Sequence, residues 1–126
     1  MAITTRKRSL PVSLSNLERS IIKSLDSHKA EDIVSVDLRG KSDFADLMIV
    51  ASGSSQRHVS ALADYVVEII KKAGFEHVPV EGKESSDWVL VDAGNIIVHL
   101  FRPEVRSHYN LEKMWSVAIP QVEVAY

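Results

Sequence analysis

The chain has 126 residues, 45% hydrophobic and 25% charged, with a formal net charge of -2 at pH 7. That size suits one domain able to bury about two thirds of its unfolded surface, and the composition excludes a disordered or fibrous chain. The absence of cysteine excludes disulfides and thiolate metal sites, and the slightly acidic balance argues against a protein that wraps nucleic acid in basic surface.

No apolar run approaches the roughly 20 residues that span a bilayer, and no secretory-type stretch opens the sequence, so a cytoplasmic location is expected. Residues 1–14 hold Arg6, Lys7 and Arg8 among Ser and Thr without an acid, a faint likeness to a transit peptide. They are expected to form a flexible basic extension.

Ser15, Asn16, Leu17 and Glu18 read as a capping box. The helix it predicts carries Leu17, Ile21, Ile22 and Leu25 on one stripe and ends near Ser27 to Lys29. Asp32 to Leu38 alternates, with Val34, Val36 and Leu38 on one side, and predicts a first strand. Arg39 to Asp43 supply turn chemistry.

Leu47 to Ala51 run without a polar break, as in a central strand covered on both faces. Ser52, Gly53, Ser54 and Ser55 introduce a helix with Val59, Leu62, Ala63, Val66, Ile69 and Ile70 at spacings of three and four, and Gly74 is placed to stop it. Phe75 to Glu81 contains Pro79, which confines any strand there to an edge. The strand, helix, strand order implies a right-handed parallel crossover.

Trp88 to Asp92 and Ile96 to Phe101 predict two strands joined by Ala93, Gly94 and Asn95, a hairpin-length loop. Pro103 suits the first turn of a final helical region through Trp115, and Pro120 discourages its continuation. The fold class is therefore α+β, a single domain with a mixed five-stranded sheet and helices mainly on one face. Five strands make a sheet about 20 Å wide, which two helices cover on one side. Trp88 and Leu90 point to one face and Val89 and Val91 to the other, so the uncovered face is also apolar and marks an interaction surface.

Chemistry-bearing residues are sparse. His28, His58, His77, His99 and His108 form no paired metal-ligand spacing, so no metal or cofactor is expected. Within the apolar run, His99 reads as a hydrogen-bonded sheet residue. Asp37, Asp43 and Asp46 could hold magnesium, yet turn capping and a solvated strand position account for them more simply. Ser52, Ser54 and Ser55 beside Gly53 could cradle a phosphate or cap a helix. Arg57, Arg102 and Arg106 read as solvated charges. Trp88, Tyr109 and Trp115 could serve as core anchors or binding hot spots.

Three blocks in register carry a family resemblance: D-L-R-G-K-S from Asp37, G-S-S-Q-R-H-V from Gly53, and S-D-W-V-L-V-D-A-G-N-I-I-V-H from Ser86. With R-x-x-Y-x-L-E-x-M-W from Arg106 to Trp115, they resemble the Iojap or ribosomal silencing factor family over about residues 15–116. Asn95 departs from the family, which often has Asp there. The resemblance implies a domain over 15–116 followed by a tail over 117–126.

It further implies a non-enzymatic protein that binds the large ribosomal subunit at ribosomal protein fourteen. There it would block joining of the small subunit, repress translation under nutrient limitation and contribute to large-subunit maturation. The implied contact residues are Asp87, Trp88, Leu90, Tyr109, Leu111 and Trp115. The family sheet is similar to that of nucleotidyltransferases, but no Asp-x-Asp pair follows Gly53 and Ser54, so the catalytic carboxylates are missing. A nucleotidyltransferase-like enzyme and a homo-oligomeric scaffold are the alternatives, and a weak dimer that dissociates on the large subunit is expected.

Overall fold

The computed structural model describes residues 14–40 and 45–108, so Asp43 and the closing-motif residues Tyr109, Leu111 and Trp115 lie outside the described residues. The elements in chain order are α1 (Leu14–Ser27), β1 (Glu31–Asp37), β2 (Leu47–Ser52), α2 (Gln56–Lys72), β3 (Val80–Glu81), β4 (Trp88–Asp92), β5 (Ile96–Phe101) and α3 (Pro103–His108). No helix among the described residues is long and apolar enough to cross a membrane.

The first helix departs from the capping-box reading. Leu14 is already helical, which puts Ser15 inside the first turn instead of at the cap. The Glu18 carboxylate instead accepts a hydrogen bond from Ser35 Oγ at 2.7 Å and ties α1 to β1. The second helix is capped as its sequence suggests: Ser55 has extended dihedrals (φ -154, ψ 169), and its Oγ accepts the backbone N–H of His58 at 3.1 Å. Replacing Ser55 by Ala should cost about 1 kcal/mol in urea unfolding, whereas Ala at the nearby exposed Arg57 should be nearly neutral to stability. At the other end Ala73 is the cap and Gly74 follows with φ 112, a conformation that favours glycine.

The sheet order is β1-β2-β5-β4-β3, with β2 parallel to β5 and the other pairs antiparallel. It is mixed and five-stranded, as expected. Every residue of β2 is buried, which explains its unbroken apolar run. The β4–β5 hairpin forms through Ala93, Gly94 and Asn95, where Gly94 takes φ 79. At the edge, β3 is only two residues long, and Pro79 precedes it and uses its carbonyl to accept Asp92 N–H at 3.0 Å. Strands β2 and β3 do run in the same direction, but β5 and β4 lie between them. The crossover through α2 thus spans the sheet.

Period-two alternation divides the apolar residues between two layers. On one face Leu47, Ile49, Ala51, Val89, Val91, Ile96, Val98 and Leu100 pack with Leu17, Ile21 and Leu25 of α1 and Val59, Leu62, Val66 and Ile70 of α2. Each fully buried aliphatic side chain there contributes about 1.5–3 kcal/mol. On the other face Val36, Leu38, Ala45, Met48, Val50 and Phe101 form a smaller cluster, flanked by partly buried Val34, Trp88 and Ile97. Among the described residues, Val105 of α3 is the helical side chain packed on this second layer.

Candidate docking face

Of the sequence-predicted contact positions that the structure describes, Trp88 and Leu90 lie on the second sheet face, and Asp87 stands just before β4 at its margin. In the β4–β5 register Trp88 opposes Phe101 and Leu90 opposes His99, so these four side chains share that face. Both Trp88 and Leu90 are partly exposed. With Glu81 and Gly82 they line a cleft of about 280 Å³.

The loop before β4 sets where Trp88 enters the sheet. Gly82 has φ 88 and Ser86 has φ 55. Ser86 is buried, donates its N–H to Gly82 O at 2.9 Å and its hydroxyl to Lys83 O at 2.7 Å. Those two bonds close the loop upon itself.

The Trp88 ring meets Phe101 edge-on, with centroids 5.8 Å apart and an interplanar angle of 73°. Its Nε1–H donates to His99 Nδ1 at 3.1 Å. Burial lowers the His99 imidazole from its ordinary value of 6.5 to about 4. As expected from the sequence, His99 is therefore a hydrogen-bonded sheet residue.

A pH dependence follows from this shift. The unfolded chain protonates this histidine before the folded one does, so the His99 contribution is intact above pH 6.5 and is lost as pH falls toward about 4. The accumulated loss should be roughly 3 kcal/mol. Urea unfolding between pH 7 and pH 4.5 should show the slope, and a His99→Leu variant should lack this component of it.

Asp87 does not stand alone beside Trp88. Its Oδ1 accepts hydrogen bonds from Gln56 Nε2 at 3.0 Å, Arg102 Nε at 2.9 Å and Arg102 Nη2 at 2.8 Å. The Gln56 bond first, and the Arg102 bonds second, hold its carboxyl below the ordinary carboxylate value. This corrects the reading of Arg102 as a solvated charge: its guanidinium joins the end of β5 to the entry of β4 and also reaches Glu104 at 3.3 Å. Arg57 is exposed. Asp87 consequently ties the start of α2, the entry of β4 and the end of β5 together at the margin of the apolar face.

The carboxylate group suggested for magnesium is not assembled from the described residues. Asp37 is engaged by Arg39 through Nε at 3.0 Å and Nη2 at 2.8 Å, and no group of three or more His, Asp or Glu among the described residues could hold a metal ion. The Gly53 turn serves the helix cap: Ser54 N–H donates to His58 Nδ1 at 2.8 Å, and His58 Nε2 donates to the His28 carbonyl at 2.9 Å.

Sequence reasoning missed the pair formed by His28 and Tyr65, whose rings stack with centroids 3.6 Å apart at 11°. His28 stands in the turn after α1 and Tyr65 in α2, so no local spacing signals their meeting.

A profile of the family described as "Ribosomal silencing factor during starvation" matches residues 11–125. A Zymomonas mobilis protein named "Ribosomal silencing factor RsfS" is 50% identical over 100 residues, covering 79% of this chain and 75% of its own length. The mouse protein "Mitochondrial assembly of ribosomal large subunit protein 1" is 33% identical, over 77% of this chain and 44% of that protein. A crystal structure of a Chromobacterium violaceum protein superposes with a TM-score of 0.77 at 39% identity, covering 82% of this chain and 87% of the other.

Proposed function

Since the chain belongs to the ribosomal silencing factor family and thus to the regulation of ribosomes, we propose that it binds the large ribosomal subunit at ribosomal protein fourteen and blocks docking of the small subunit. Occupancy alone produces the effect. A surface covered by this protein is closed to the small subunit, so inhibition tracks the fraction of large subunits bound, and no bond making is required. On this reading the protein is a cytoplasmic binding protein, not an enzyme, and represses translation when nutrients are short. The name of the mouse relative supports a contribution to large-subunit maturation as well.

The observation that carries the reading is the second sheet face, where Trp88 and Leu90 remain partly exposed beside the buried Phe101 and Val50. Partly exposed aromatic anchors on an apolar surface are the residues that dominate protein association. Asp87 borders this patch, and the contact set we propose also includes Tyr109, Leu111 and Trp115 of the closing motif, which lie outside the described residues. The same patch would support a weak dimer of the free protein that gives way on the large subunit. Sedimentation of the free protein at rising concentration should show that dimer, and a strict monomer would remove it.

Co-sedimentation tests the main proposal. The protein at micromolar concentration should pellet with purified large subunits and stay behind with small subunits. Isolated ribosomal protein fourteen should compete for it. No binding to large subunits, or binding that the isolated protein fails to displace, would overturn the assignment.

A further inference from the structure

Trp88 and His99 are diagonal neighbours on adjacent antiparallel strands, on the face whose centre is otherwise hydrocarbon. An indole N–H can only donate, so the 3.1 Å bond makes His99 Nδ1 the acceptor and leaves the ring proton on Nε2. One tautomer is thereby specified. Phe101 restrains the same indole from a second direction, at 5.8 Å and 73°. A side chain held by a directional hydrogen bond and by an aromatic edge loses little further freedom when a partner covers it. Its one polar atom is also satisfied before docking begins.

We propose that His99 is the positioning residue of the docking face, fixing the Trp88 indole through the Nε1–H to Nδ1 bond so that the partner receives it in an apolar pocket that supplies no acceptor. The proposal rests on the docking function assigned above and names the chemistry that its partner must offer. An acceptor in the partner pocket would be redundant, because the indole proton is already taken. Loss of the acceptor on His99 would instead leave that N–H unsatisfied when docking excludes water. The low proton affinity of the largely buried imidazole, with its pKa near 4, keeps Nδ1 available as acceptor at neutral pH.

Two substitutions and one spectrum test it. His99→Leu removes the acceptor and fills similar space, whereas His99→Asn retains an oxygen near the position of Nδ1. In the Leu variant the Trp88 indole N–H resonance, identified by its absence in Trp88→Phe, should move or broaden, and affinity for large subunits should fall roughly tenfold. The Asn variant should recover both. A folded Leu variant with the native indole resonance or native affinity would overturn the proposal.

Should the Leu variant not fold, long-range 1H–15N spectra of the native protein at pH 7 remain decisive. They should show His99 protonated at Nε2 alone, and protonation at Nδ1 would contradict the bond. If native protein does not bind large subunits at all, the docking function fails, while the spectrum still reports whether His99 holds the indole.

Discussion

Truncating Trp88 to Ala should weaken binding to the large subunit by at least about tenfold, the effect of losing a central aromatic hot spot. The free protein should keep its circular dichroism, because Trp88 is partly exposed and the fully buried side chains against α1 and α2 are untouched. Some stability is still lost, since the indole packs on Phe101 and bonds His99. Co-sedimentation at fixed subunit concentration separates the two effects once the folded fraction is known. Native affinity in a folded Trp88→Ala protein would move the interface off β4.

Replacing Gly82 by Ala should be the most destabilising exchange at any glycine outside the core. A Cβ there would collide with the Trp88 carbonyl oxygen, which is backbone and cannot rotate away. The residue also has φ +88, a region that costs a side chain about 1–2 kcal/mol. Strain and collision together should remove about 3 kcal/mol and lower Tm by roughly 10–15 °C. Gly40 supplies the control, because it has φ +78 with nothing within 4 Å of its hypothetical Cβ. Gly40→Ala should therefore cost only the conformational part, about 1 kcal/mol. Equal melting temperatures for the two variants would show that the loop yields without harm to β4.

These two sites illustrate what the sequence does and does not display. The stripe from Leu17 to Leu25, the unbroken β2 run and the hairpin from Trp88 to Phe101 are local patterns, and local patterns of period 3.6 or 2 survive folding. Ser15 misled because the capping-box spacing recurs by chance, and Leu14 had already joined the helix. The third strand shrank to Val80 and Glu81 because Pro79 ends it on one side and Gly82 turns the chain on the other. Arg102 looked solvated since its partner Asp87 lies 15 residues away and meets it only through hairpin pairing. The bond between Trp88 and His99, 11 residues apart, depends on the same register. Alternation did reveal that Trp88 shares a face with Leu90, whereas the cover of that face is a tertiary property that no local period encodes.

Subunit joining measured by light scattering reports directly whether an occupied large subunit is closed to the small one. Purified large subunits preincubated with increasing amounts of the protein would be mixed with small subunits under associating conditions. The account predicts that the amplitude of joining falls in proportion to the large subunits occupied, and that Trp88→Ala shifts the curve to concentrations higher by at least about tenfold. Full joining at saturating occupancy, with the protein still bound, would contradict it.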